Sequence, residues 1–253
     1  MELQEAWLVR GYFKVKSESG ESFTQKVRER LAPALGLDPK ALHLASYPVG
    51  PAWRYWLWWR ERDEDYVEAQ FFAGLALEYP ILSIGVSVEK GLERQSADES
   101  PTDLQGIAPH PKSEKGWMDR ERWDWHRLVD RRRTIVLDEV PAVCERIQRP
   151  VLVKLHKKDL EDRTSENWNR TFVHLQGSWF ERHKGSIEPE EICSHIEGLD
   201  RQKDHWVDAL FCCELGPRDV DGMTTDQFAE ILVSFAPLRA RIREDPDSAP
   251  DLF

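Results

Sequence analysis

The sequence predicts an α+β protein, an antiparallel sheet packed by helices in one or two subdomains. Three observations carry that expectation. Three successive strands joined by short connections follow the first helix, the pattern of an antiparallel meander. Apolar residues recur at helical spacing in two places, Phe23 to Leu35 and Phe228 to Phe235. No glycine-rich phosphate loop of the Walker or dinucleotide type occurs, which excludes an NTPase or a Rossmann dehydrogenase.

Leu8 to Lys16 reads as a first strand, closed by the polar turn from Ser17 to Ser22. Phe23, Val27, Leu31 and Leu35 then form one helical stripe, with Ser22 as a cap and Gly36 behind. After Leu42 to Tyr47 and the break Pro48-Val49-Gly50-Pro51 comes the tryptophan strand, Trp53 to Arg60. The acidic turn Arg62 to Asp65 leads into Tyr66 to Leu77, and Tyr79-Pro80 into Ile81 to Glu89. In that last strand Leu82, Ile84, Val86 and Val88 point inward, and Ser83, Gly85, Ser87 and Glu89 outward. Gly85 is placed where another backbone or a ligand can come close.

Periodicity disappears from Arg94 to Lys115, so the expected division is residues 1–93, a linker over 94–115, and residues 116–253. Trp117 to Asp130 reads as a helix, whereas Arg131 to Val140 fits either type of element. Val151 to His156 is a short strand, Asp162 to Arg170 irregular, and Thr171 to Phe180 a strand or a helix. Pro189 to Leu199 has the composition of a helix start, with Glu190 and Glu191 in its first turn. Trp206 to Leu215 is apolar at too many positions to face water. Thr224 to Arg241 is amphipathic, capped by Thr224 or Thr225 and bent or ended by Pro237.

With 40% hydrophobic and 32% charged residues among 253, the composition is that of a polar globular chain with room for a real core. No apolar run approaches the roughly 20 residues that cross a bilayer, and the acidic N-terminus lacks an export signal, so the expected location is cytoplasmic. Cys144, Cys193, Cys212 and Cys213 have no framework spacing and read as reduced, partly buried thiols. A net charge of −11 argues against non-specific coating of nucleic acid, where phosphate neutralisation supplies most of the affinity. The basic residues are instead regional, in Lys112 to Arg133 and in Arg146 to Lys158.

The most specific chemistry lies in Trp53-Arg-Tyr-Trp-Leu-Trp-Trp-Arg60, which holds four of the chain's 11 tryptophans. In a strand, Trp53, Tyr55, Leu57 and Trp59 line a core face, and Arg54, Trp56, Trp58 and Arg60 the other. Two indoles framed by guanidiniums make a stacking and cation–π surface for a planar ligand, a base or a peptide. Gln70 or Phe71 and Ser83 or Ser87 would extend such a platform. The competing reading is a strand buried on both faces, its arginines paired to acids.

Other constellations are weaker. Glu78, Glu89 and Lys90 resemble a metal-dependent nuclease site only loosely, because adjacent residues on a strand point to opposite faces. Cys193, His195, His205, Cys212 and Cys213 lack the spacing of a zinc ribbon or finger, and no Gly-x-Ser-x-Gly elbow occurs. Arg131, Arg132 and Arg133 suit a phosphate or an acidic partner, or equally a solvated helix end paired to neighbouring acids. No catalytic residue, metal ligand or cofactor site is expected.

Two segments resemble N-terminal modules of McrB-type restriction systems and related defence proteins. They are Leu82-Ser-Ile-Gly-Val-Ser-Val-Glu-Lys-Gly-Leu-Glu93 and the Asp208 to Leu238 region, with its Asp-Gln-Phe-Ala-Glu-Ile-Leu helix. The resemblance implies a DNA-binding or modified-DNA-sensing module that works with a separate motor and nuclease.

The leading expectation is therefore a non-catalytic recognition module for DNA or a modified base. Arg54, Trp56, Trp58 and Arg60 would stack bases, while Trp117, Trp123, Arg131, Arg132, Arg133, Lys154 and Lys157 would meet the backbone. The alternatives are a regulatory subunit that docks a protein partner through its aromatic face, and a metal-dependent nuclease. Nucleic acid and a partner protein with motor or nuclease activity are the expected partners, with no membrane.

Overall fold

The computed structural model describes residues 18–47, 53–61, 69–76, 81–90, 123–159, 168–202 and 205–244. The Leu8 to Lys16 strand, the Arg94 to Lys115 linker, Glu78 and Trp117 lie outside them. The expected α+β class holds: helices cover an antiparallel sheet of nine strands among the described residues.

The strands are β1 Leu42–Tyr47, β2 Trp53–Glu61, β3 Gln70–Ala76, β4 Leu82–Glu89, β5 Val151–Asp159, β6 Trp168–Leu175, β7 Ser178–Glu181, β8 Gly185–Ser186 and β9 His205–Leu215. Their order is β1-β2-β3-β4-β9-β5-β6-β7-β8. The predicted three-strand meander is β2 to β4, extended by β1, and the apolar Trp206 to Leu215 run is the central strand, paired to β4 on one side and β5 on the other. The sheet therefore continues without a break across the sequence division at 94–115. Thr171 to Phe180 resolves into a hairpin whose turn residues, Gln176 and Gly177, both have positive φ, the conformation that two-residue hairpin turns require.

The helices are α1 Glu18–Ala34, α2 Trp123–Asp130, α3 Arg132–Thr134, α4 Val140–Ile147, α5 Pro189–Asp200, α6 Pro217–Val220, α7 Thr225–Ser234 and α8 Ala236–Arg243. α1 starts four residues before the predicted Ser22 cap. Its stripe is as expected, with Phe23, Val27 and Leu31 fully buried. Gly36 takes a left-handed φ of 68°, and Leu37 N–H donates back to Ala32, closing the helix end. The undecided Arg131 to Val140 stretch is helical, with a π-helical segment at Ile135–Glu139 between α3 and α4. Thr224 caps α7 reciprocally with Gln227, and the chain breaks at Phe235 before Pro237 opens α8, as the proline predicts.

The main core lies between these helices and one face of the sheet. Leu82, Ile84, Val86, Val88, Val153, Phe211 and Cys213 meet Trp125, Val136, Ile196, Phe228 and Leu232 there. A second, smaller cluster contains Phe72, Leu152, Leu210 and Cys212, all from strands, with Val173 against it. Every helical residue of the described core belongs to the first cluster, so the second marks a face to which no described core helix contributes. All four cysteines are buried and free, as expected.

Candidate functional site: the second face of the sheet

Cross-strand partners share a face, so the register sorts this surface into rows. One row passes through eight strands as Ala45, Trp58, Phe72, Gly85, Cys212, Leu152, Val173 and Phe180. Every member is apolar or glycine. Beside it run Ser87, Leu210, Lys154 and Thr171, and one row further Glu89, Asp208, His156 and Asn169. On the opposite side lies the row of Trp56, Gly74, Ser83 and Glu214.

The centre of this face is closed. Ser83 and Ser87, expected outward, are buried together with Phe72, Leu152, Leu210 and Cys212. Phe71 belongs to the helix-side core, where the Arg239 guanidinium lies 5.3 Å from its ring centroid. Among the described residues of this face, accessible surface includes two places. One is the Glu89, Asp208 and His156 row, each residue partly exposed. The other is the sheet end, where Leu175 and Phe180 are exposed.

Gly85 sits in the middle of the apolar row. A Cβ built on it would overlap the Phe211 carbonyl oxygen and stand 2.7 Å from Cα of Cys212. The close approach expected at this glycine is thus made by the backbone of β9.

Lys154 has its Nζ 2.6 Å from Glu214 Oε1, and donates to Ser83 Oγ at 3.4 Å. Arg182 donates to Glu214 Oε2 at 3.0 Å. Burial works to raise the Glu214 pKa, but Lys154 and Arg182 more than offset it and hold the carboxyl below its usual range. Cys212 lies beside this network. Burial pushes its thiol up to about 11, which leaves it protonated and inert at neutral pH.

The Glu89 row has different chemistry. His156 Nδ1 lies 2.7 Å from Asp208 Oδ1, a close contact without hydrogen-bond alignment. That buried oxygen has no hydrogen-bond donor. Burial, then the neighbouring Asp208 charge, pushes Glu89 up to about 8. At neutral pH Glu89 is therefore a neutral acid, with one donor and one acceptor.

This has a consequence for stability. An acid whose pKa rises on folding holds its proton in the native state after the unfolded chain has lost it. The resulting contribution is complete below the ordinary pKa of 4.5 and is lost as pH rises towards about 8. Denaturant titrations should show wild-type stability falling across that window, and Glu89→Gln should flatten the fall. Parallel pH profiles for the two proteins would refute the assignment.

Arg54, Trp56, Trp58 and Arg60 all lie in β2, but their side chains are outside the described residues. A bulge between Trp53 and Tyr55 interrupts the alternation at Arg54, while Trp56 and Trp58 keep register with Gly74 and Phe72. Trp59 is fully buried against Phe228, ring centroids 6.2 Å apart, as the core-face reading expects. Trp123 opens α2, its side chain also outside the described residues.

The basic candidates are engaged with separate partners. Arg131 donates to the Arg241 and Ile242 carbonyls, Arg132 to Val129 and Glu197, and Arg133 to Glu190. The predicted pairing with neighbouring acids is thus replaced by contacts that for each arginine include a partner on α5 or α8. Lys154 is buried, and strand alternation sets Lys157 on the opposite face, so the two do not form one surface.

Lys90 is buried and donates to the carbonyls of Asp200 and Gln202, so it shares no site with Glu89. Among the described residues no group of three or more His, Cys, Asp and Glu side chains is arranged to hold a metal ion. No described helix is long and apolar enough to cross a membrane.

The row of residues 89, 208 and 156 was not legible as a set, since it is assembled only by the β4, β9 and β5 register. Its one signal was Asp208, a charge inside the otherwise apolar Trp206 to Leu215 run. Comparison with family models, curated proteins and solved structures returned no match.

Proposed function

We propose that this chain is a recognition module for single-stranded or unstacked bases of nucleic acid, acting through the face of its sheet to which no described core helix contributes. The observation that carries the reading is the Glu89, Asp208 and His156 row, partly accessible on a face to which no described core helix contributes. A neutral carboxyl beside a carboxylate hydrogen-bonds base edges but repels phosphate, which suits base reading in a chain of net charge −11. Trp58 and Trp56 occupy register positions on the same sheet, at the end towards β1, where stacking would add sequence-tolerant affinity. The McrB-type resemblance supports the same reading, with a separate motor and nuclease as partners.

Trp56→Ala and Trp58→Ala should each weaken binding of a labelled single-stranded oligonucleotide by about 1–3 kcal/mol at fixed salt. Wild-type affinity in both variants would remove the tryptophans from the surface.

A second reading is favoured by Leu175 and Phe180, two exposed apolar side chains at the other end of this face. They suit a protein partner. Leu175→Ser with Phe180→Ser would then abolish a co-purifying complex and leave oligonucleotide binding intact.

A further inference from the structure

We propose that the β6 to β8 end of this sheet face docks an acidic peptide segment of a partner protein, whose apolar side chains sit on Leu175 and Phe180 and whose carboxylates meet Arg182 and Lys184. The inference goes beyond base recognition. It rests on the protein-partner reading above and names the chemistry of that partner.

The apolar half of the surface follows from register. Across β6 and β7, Val173 faces Phe180 and Leu175 faces Ser178, so Leu175 and Phe180 are diagonal neighbours on one face, about 7–8 Å apart. Leu175 is 39% and Phe180 36% exposed, and Val173 beside them is only partly buried. The strand on the outer side, β8, sets exposed Ser186 opposite Phe180. A serine is too small to cover the ring, so the patch stays open towards the sheet edge.

The charged half runs against the character of the chain. Its net charge is −11, yet residues 169–186 contain a single acid, Glu181, and that side chain is buried. Arg182, His183 and Lys184 are exposed in the turn that joins β7 to β8. His183 holds a left-handed φ of 73°, a conformation that favours glycine, so the turn keeps a basic side chain where a glycine would be relaxed.

Two carboxylates border the patch, and each is shared between two cations. Glu214 has Lys154 Nζ at 2.6 Å and Arg182 Nη2 at 3.0 Å. Glu181 has Lys184 Nζ at 3.1 Å and Arg170 Nε at 3.7 Å. One carboxylate does not neutralise two cations, so both pairs favour a further anion. Arg182 spends one nitrogen on Glu214, which fixes its guanidinium, and its side chain remains 44% exposed. Lys184 is 59% exposed.

A segment that alternates acids with large apolar residues satisfies both halves at once. Single-stranded nucleic acid fits less well, since Leu175 offers no ring to stack on a base and the cations stand at one side of the patch.

The test uses the full chain with a labelled peptide of Glu-Leu-Glu-Phe repeats, the same peptide with Ser for every Glu, and oligo-dT. At low salt the acidic peptide should bind about tenfold more tightly than its serine counterpart, the combined scale of two exposed ion pairs. Raising the salt should erase most of that difference. Lys184→Gln should cut the preference about threefold, and Arg182→Gln with Lys184→Gln should abolish it. Phe180→Ser should weaken both peptides alike by at least about tenfold, the scale of one apolar anchor. Circular dichroism establishes that each variant is folded, and Lys184→Gln, in an exposed turn, carries the test if the double variant does not fold. Equal, salt-independent binding of the two peptides would overturn the inference and leave the protein-partner reading standing. Oligo-dT that displaces the acidic peptide and loses affinity in Phe180→Ser would overturn it in favour of nucleic acid. Binding of neither peptide would also overturn it, and the protein-partner reading would then stand or fall on the co-purifying complex.

Discussion

Gly85→Ala is expected to destabilise the protein by at least about 3 kcal/mol, the upper range for forcing a methyl into a closed interior. The added carbon meets main chain on both counts, the Phe211 carbonyl and the Cys212 Cα, and neither can rotate away as a side chain would. Relief requires parting β4 from β9, the two strands that join the halves of the sheet. Gly198, inside α5, has open space where its Cβ would lie. Gly198→Ala should therefore be neutral or stabilising by up to about 1 kcal/mol, through helix propensity. Chemical denaturation of the pair checks the claim, and a Gly85→Ala protein as stable as wild type would refute the close approach.

The second large effect is expected at Asp124. Its carboxylate is fully buried and accepts the Ala69 N–H at 2.7 Å, just ahead of β3. Arg127 lies 3.5 Å and Arg243 3.4 Å from its oxygens. Arg239 donates to the Ala69 carbonyl, so both polar groups of one peptide residue are held by α2 and α8. Asp124→Ala leaves two guanidiniums without their carboxylate and a main-chain N–H without an acceptor. The expected loss is about 3–5 kcal/mol. Asp124→Asn keeps an acceptor and should lose less. Thermal unfolding of the two variants separates charge from hydrogen bonding, and equal small losses in both would contradict the role given to this carboxylate.

Local chemistry was legible in the sequence wherever it decided local structure. The Phe23, Val27 and Leu31 stripe, the Thr224 cap and the break before Pro237 all appear as their patterns imply. Thr171 to Phe180 stayed undecided because alternation and helical spacing overlap over ten residues. The dipeptide Gln176-Gly177 held the answer, since a glycine at the second turn position tolerates positive φ. The outward assignment of Ser83 and Ser87 failed for a different reason. Small hydroxyls read as solvent-facing, yet on a central strand they lie buried, Ser83 beside Lys154.

The candidate site was less legible than the fold. Sequence drew attention to the tryptophan strand, where aromatic density is visible at a glance. The Glu89, Asp208 and His156 row joins three distant segments through hydrogen-bond register, and no window of sequence contains it. Arg131 to Arg133 show the converse limit: a run of three like charges suggests one basic patch, but helical geometry sends each guanidinium to a separate partner.

The position of β9 sets an order of events for the growing chain. The β1 to β4 meander and the β5 to β8 hairpins are built from neighbouring residues and can pair as soon as each is synthesised. β4 and β5 have no partner on their inner sides until Leu215 has left the ribosome, because the strand that unites them follows the other eight described strands. Until then the nascent protein displays two unpaired, apolar edges, the feature that invites association between chains. Its most exposed moment therefore falls just before β9 emerges, and α7 and α8 follow when the sheet they cover has only just become whole.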